Sequence, residues 1–167
     1  MKKVSYYTLF VVSLLFFLAT SCEEKAPSNQ DPKISKEQNE ALFHAVLEKH
    51  LKAVSDKDYA TLKSTMSPKG NMELIQPNSE TVYTVDGFMK FHEEWFAVPN
   101  WTVNTKIVST DIGNKIGVAT TEFLYQEPER NGKPYFNRLI VNYTLEKIDH
   151  QWYIIKDHAS SVEKTEN

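Results

Sequence analysis

The chain has 167 residues, of which 41% are hydrophobic, 12% aromatic and 25% charged, with a formal net charge of −3. Nine Phe, eight Tyr and three Trp can fill the core of one ordinary domain, which excludes disordered and low-complexity classes. A single Cys excludes a disulfide scaffold, and an acidic balance with only Arg130 and Arg138 as arginines argues against a nucleic-acid partner.

Lys2 and Lys3 precede an apolar run from Leu9 to Ala19, followed by Thr20-Ser21-Cys22. A basic start, a short apolar segment and small residues before a break read as an export signal over residues 1–21. The run is well short of the roughly 20 apolar residues that a membrane-spanning helix requires. Cys22 is either a stray thiol beside a cleavage site or the acylated first residue of the mature protein. Leu18-Ala19-Thr20-Ser21 before it resembles a bacterial lipobox, which implies lipidation at Cys22 and a membrane-anchored place in the cell envelope. Residues 22–34 are polar, hold two prolines and read as a tether. Residues 163–167 read as a tail.

Ser35 with Gln38 forms a capping box for a helix over about 36–54, whose Phe43, Val46, Leu47, His50, Leu51 and Val54 recur at spacings of three and four. Asp56-Lys57-Asp58 breaks it, and Asp58 can cap a short second helix. Residues 71–76 and 80–85 read as a strand pair around Pro77-Asn78-Ser79. Asp86 then caps a third helix with Phe88, Phe91, Trp95 and Phe96 inward, stopped by Pro99. From Trp101 the period changes to two, over 101–112, 115–126, 135–148 and 151–162, with Gly113-Asn114, 129–132 and Asp149-His150 as turns. Helices followed by an antiparallel meander predict an α+β fold: a curved sheet with helices on one face.

If Gly113-Asn114 and Asp149-His150 are two-residue loops, unbroken alternation sends Trp101, Val103, Ile107, Ile116, Val118, Leu124, Leu139, Val141, Leu145, Trp152 and Ile154 to the helix-covered face. The same parity brings in Glu122, Tyr143 and His158 and sends Asp157 outward. A one-residue shift at the loop after Pro128 would instead turn Phe123 and Tyr125 inward.

Three features, Asp56-Lys57-Asp58 closing the first helix, Val85-Asp86-Gly87 before the third, and the terminal WYIIKDHASS, resemble the SnoaL-like, nuclear-transport-factor-2-like superfamily over residues 35–162. That resemblance implies a cone-shaped curved antiparallel sheet with three N-terminal helices packed on its concave face, enclosing a pocket and commonly dimeric through the outer sheet face. It covers polyketide cyclases, ketosteroid isomerases, dehydratases and epoxide hydrolases as well as non-catalytic binding and transport proteins, so it selects no activity.

Glu122 and His158, expected on the inner face of neighbouring strands and roughly diagonal to one another, are the candidate acid–base pair, or else a structural polar cluster. His50 is either a packed core histidine or, by resemblance to the oxyanion-binding Tyr of ketosteroid isomerases, an oxyanion donor. The same comparison places the isomerases' catalytic Asp on Gln76, whose amide cannot act as a base. Tyr59, Met66, Phe91, Trp95, Trp101 and Tyr143 are expected as core or as the lining of a cavity for a flat, apolar ligand. No metal-ligand spacing, phosphate loop or nucleophile elbow occurs, so no metal or cofactor is expected. The readings that follow are a lipid-anchored, homodimeric domain binding a small apolar molecule, a cofactor-independent lyase, isomerase or hydrolase, or a non-catalytic interaction module.

Overall fold

The structure, a computed structural model, describes residues Ile34–Glu166; the export segment, Cys22 and the tether lie outside the described residues. Helix α1 (Lys36–Asp56) starts at the expected capping box, with Ser35 Oγ accepting from the Gln38 N–H at 3.2 Å and Gln38 Oε1 accepting from the Ser35 N–H at 3.0 Å. It ends at Lys57 in the left-handed conformation, and Asp58 caps α2 (Tyr59–Ser64) by accepting from the Thr61 N–H at 2.9 Å. Strands β1 (Asn71–Ile75) and β2 (Thr81–Thr84) pair as expected and lead into α3 (Val85–Ala97). The cap of α3 is Thr84 rather than Asp86: Thr84 Oγ1 accepts from the Gly87 N–H at 3.1 Å. Asp86 lies in the first turn, where its charge meets the positive end of the helix dipole.

Four long strands follow: β3 (Thr102–Ile112), β4 (Ile116–Arg130), β5 (Lys133–Ile148) and β6 (Gln151–Lys164). The sheet order is β2-β1-β6-β5-β4-β3, with β1 parallel to β6 and the other neighbours antiparallel. The fold is α+β, a curved and unclosed sheet whose concave side takes the helices. Helix α1 packs on β3 and β6, and α3 on β1 and β2. Phe43, Leu47 and Phe88 meet Leu145, Trp152 and Ile154 in the core, with the Phe43 ring edge-on to Trp152 at 5.3 Å. Gly117 is needed there, because a Cβ on it would lie 2.6 Å from Phe43 Cε2.

Two hairpins close through left-handed pairs, Asp149-His150 as expected and Asn131-Gly132 at the end of β4 and β5. The second carries pairing well beyond Gln126. β6 likewise runs past Val162 to Lys164, and the Thr165 N–H donates to the Phe136 carbonyl at 3.0 Å, so the expected tail is partly ordered structure.

Among the four long strands the register departs from unbroken alternation at four places: one at Val162, between the Arg138–Glu163 and Leu139–Ser161 pairs near the end of β6, and three that set the facing of the site. A bulge at Val108 separates the Ile107–Thr121 and Ser109–Thr120 pairs. An irregularity between Glu127 and Arg130 shifts β4 against β5, which is the alternative raised for the loop after Pro128. A bulge at Ile155 separates the Thr144–Lys156 and Leu145–Ile154 pairs. An extra residue in one strand reverses the facing of everything beyond it. Ala119, Thr121, Phe123 and Asp157 are therefore buried on the concave side. Ile116, Val118, Leu124, Glu122 and His158, all expected inward, lie on the convex side instead.

Candidate functional site

The concave sheet and α3 enclose a cavity of about 600 Å³. Its walls are aromatic: Phe91 and Trp95 from α3, Phe123 and Tyr125 from β4, and Tyr135 and Tyr143 from β5. Phe91 and Trp95 reach it because they lie four residues apart on one helix face. The sheet contributors are alternate residues of each strand once the bulges have set the parity. A volume in this range, with apolar walls and few polar groups, is that of a small-molecule site.

Asp157 is a buried acidic group in the lining. It pairs in register with Tyr143 on β5 and with Leu74 on β1, so it sits in a central strand with a covered neighbour on each side. Only 7% of its surface is exposed, and Oδ1 has no hydrogen-bond partner. Burial without a compensating donor disfavours the charge and pushes its carboxyl up to about 7. Burial, and after it the charge of this carboxyl, raises the Tyr143 hydroxyl well above its ordinary value.

His92 lines the cavity from α3. Its Nδ1–H donates to the Phe88 carbonyl at 2.9 Å, which leaves Nε2 with a lone pair. Burial lowers its pKa to about 4, so the ring is neutral at physiological pH. Nearer the end of β4, Tyr125 donates to Glu127 Oε1 at 2.6 Å. Arg130 donates through Nε to Glu127 Oε2 at 3.0 Å and through a terminal nitrogen to Oε1, with its guanidinium 3.4 Å above the Tyr135 ring. Burial and this carboxylate push Tyr125 up to about 12.

The expected Glu122–His158 pair is not brought together in the cavity. Glu122 faces outward and pairs with Arg138 at 3.3 Å, and His158 is exposed on the same convex face. His50 is fully buried but lies outside the cavity lining. Thr65 Oγ1 donates to the Leu62 carbonyl at 2.6 Å, so His50 Nδ1–H donates to Thr65 Oγ1 at 2.8 Å and Nε2 carries no proton. With burial lowering its pKa to about 3, the ring has no N–H to offer an oxyanion. Of the six expected lining residues, Phe91, Trp95 and Tyr143 line the cavity. Trp101 instead stacks behind Trp95 at 4.5 Å, Met66 is core, and Tyr59 is partly exposed on α2. Gln76 is in the lining, where the resemblance placed the isomerases' catalytic Asp.

Sequence reasoning missed Asp157, His92, and the Tyr125, Glu127 and Arg130 cluster. His92 was within reach, since it follows Phe88 by four residues on the stripe that carries the aromatics. For Asp157 the sign is subtler: the adjacent Ile154-Ile155 breaks the apolar alternation just before it, as a bulge does.

A domain of this kind, a helix-covered curved sheet with an apolar cavity and a buried carboxyl, defines an α+β class rather than a particular reaction. The model of the SnoaL-like domain family matches residues 44–163, and the chain belongs to that family. No curated protein matches the sequence significantly. Among solved structures, a hexachlorocyclohexane dehydrochlorinase (LinA, type 2) superposes with a TM-score of 0.67 at 11% identity, covering 77% of this chain and 88% of that one. A ketosteroid isomerase-like protein from Erwinia carotovora atroseptica gives 0.65 at 13% identity over 77% and 99% of the two chains. The association domain of C. elegans CaMKII gives 0.56 at 21% identity over 75% and 96%. At such identities the likeness is one of fold.

Proposed function

We propose that the chain is an exported, lipid-anchored binding protein whose cone holds one small, largely apolar or aromatic molecule. The observation that carries this reading is the cavity of about 600 Å³ walled by aromatic rings. A pure interaction module would have its interior filled by its own side chains. The test is native mass spectrometry of the purified protein, followed by extraction. A bound small molecule, lost on Trp95→Ala, supports the reading; an empty cavity that takes up no aromatic probe at millimolar concentration refutes it.

Anchoring through Cys22 belongs to the same proposal and rests on the lipobox-like residues before it. Cys22→Ser should move the protein from the membrane to the soluble fraction, and unchanged fractionation removes the anchor. A homodimer through the convex sheet face is supported by exposed Val108, Ile116 and Val118 there, and by the likeness in fold to a CaMKII domain named for association. Val118→Lys should give a monomer in sedimentation velocity if that face is the contact.

One observation favours a catalytic second reading. Asp157 titrates near neutrality inside the cavity, which suits a group that takes a proton and returns it. In this reading Asp157, not Glu122 or His158, is the base, and Asp157→Asn abolishes turnover of any substrate found.

A further inference from the structure

The polar atoms of the cavity wall divide unevenly between donors and acceptors. The N–H and O–H donors near the end of β4 are committed within the protein: Tyr125 O–H and the Arg130 guanidinium both donate to Glu127. His92 Nδ1–H is committed to the Phe88 carbonyl. Asn137 Nδ2 donates to Ser161 Oγ at 2.9 Å, and its buried Oδ1 has no partner. Asp157 Oδ1, also buried, has none either. Tyr135, Tyr143 and Gln76 can serve as donor or acceptor, and Asn78 stands at the exposed tip of the β1–β2 turn. The lining thus holds two buried acceptors awaiting a donor, and a third lone pair on His92. A buried acceptor without a donor is costly, so a molecule that donates there gains what the empty site lacks.

We propose that the ligand of this cavity is a hydrogen-bond donor at its polar end, an aromatic or apolar body carrying a protonated amine, and that Asp157 is the group that receives it. The inference rests on the reading that the cone binds a small molecule and names the class of that molecule. The walls fit a cation as well as a greasy body, because the faces of Trp95, Tyr125, Tyr143 and Phe123 attract an ammonium. An anionic ligand meets the opposite situation. Arg130, the cationic side chain in the lining, is already held by Glu127 and stacked on Tyr135, and a second negative charge would face the Asp157 carboxyl.

The proposal fixes a sign for the effect of pH. The titratable groups lining the cavity are His92 on α3, Tyr125, Glu127 and Arg130 on β4, Tyr135 and Tyr143 on β5, and Asp157 itself; β1 contributes the uncharged Leu74, with Gln76 just beyond it. His92 stays neutral above about pH 4, Tyr125 and Tyr143 are raised, and the Arg130 pair holds Glu127 ionised. Between pH 5 and 8 the change therefore belongs to Asp157, which must shed its proton to pair with an ammonium.

The test uses the full chain carrying Cys22→Ser, so that no acyl chain competes for the cavity. Three shape-matched probes are titrated by calorimetry and by Trp fluorescence: 2-naphthylmethylamine, 2-naphthalenemethanol and 2-naphthoate. The amine should bind about tenfold or more tighter than the carboxylate at pH 7.5, and its affinity should fall about tenfold for each pH unit below 7, with proton release. Asp157→Asn should remove the preference for the amine over the alcohol. Equal or tighter binding of the carboxylate, tightening of the amine below pH 7, or an amine preference surviving Asp157→Asn each overturns the proposal while leaving the cavity reading intact. Failure of all three probes overturns both.

Discussion

The buried carboxyl of Asp157 has a consequence for stability that can be measured without knowing the ligand. In the unfolded chain it titrates near 3.8, and in the fold burial moves it up to about 7. Folding then favours its protonated form, so the stability associated with this group is fully present below pH 3.8 and is lost as pH rises through 7. A shift of roughly three pKa units corresponds to about 4 kcal/mol as a ceiling. Asp157→Asn keeps the shape and removes the ionisation. The variant should match the parent near pH 4 and exceed it progressively up to pH 8, by as much as about 4 kcal/mol, or about 10 °C in Tm. The parent's own pH profile cannot isolate this effect, because His50 and His92 act in the other direction. Their folded values, about 3 and about 4, lie below the ordinary 6.5, so their stabilising contribution is present above 6.5 and lost as pH falls toward those values. The difference between variant and parent cancels both histidines. Urea denaturation followed by circular dichroism at pH 5, 6, 7 and 8 supplies it, and a difference independent of pH refutes the claim that Asp157 is buried without compensation.

Three shorter expectations test the packing and the facing of the strands. Gly117→Ala places a methyl group against the Phe43 ring and should cost about 1–3 kcal/mol in chemical denaturation; a neutral result means that α1 can draw back from β4. Glu122→Gln breaks only an exposed pair with Arg138 and should cost less than about 1 kcal/mol, with binding of aromatic probes unchanged. Altered probe binding in that variant, or in His158→Ala, would return these residues to the site and contradict the register.

How far the sequence is legible depends on how local the physics is. The capping box at Ser35, the break at Asp58, the apolar stripe of α1 and the Asp149-His150 turn are short-range events, and each is found where the residues point. The strands themselves are also found, because alternation over many residues is hard to disguise. What fails is the product of many alternations. One extra residue at Val108 inverts the facing until the irregularity between Glu127 and Arg130 restores it, and another at Ile155 inverts it again along β6. Hence Leu139, Val141, Tyr143, Trp152 and Ile154 face as read, while Glu122 and His158 exchange places with Phe123 and Asp157. His50 is read correctly as part of the buried stripe, but its tautomer depends on Thr65, fifteen residues away, and its distance from the cavity depends on how α1 lies across the sheet. Neither is visible before the fold.

The bulges that mislead the reading also link curvature to chemistry. A bulge sharpens the bend of its strand. The bulge at Ile155 lies just before Asp157 on β6, so the residue that bends the strand sits close to the one whose carboxyl faces the cavity. The two effects can be separated. Deleting Ile155 makes the ladder regular but preserves the order in which Ile154, Lys156 and Asp157 alternate, so Asp157 still faces α3. If facing follows from this count, its carboxyl continues to titrate well above 3.8 by carbon-detected NMR even though the bend, and with it aromatic-probe binding, is reduced. An ordinary carboxylate titration in the deletion variant would show instead that the local bend, rather than the alternation, is what turns this side chain into the cone.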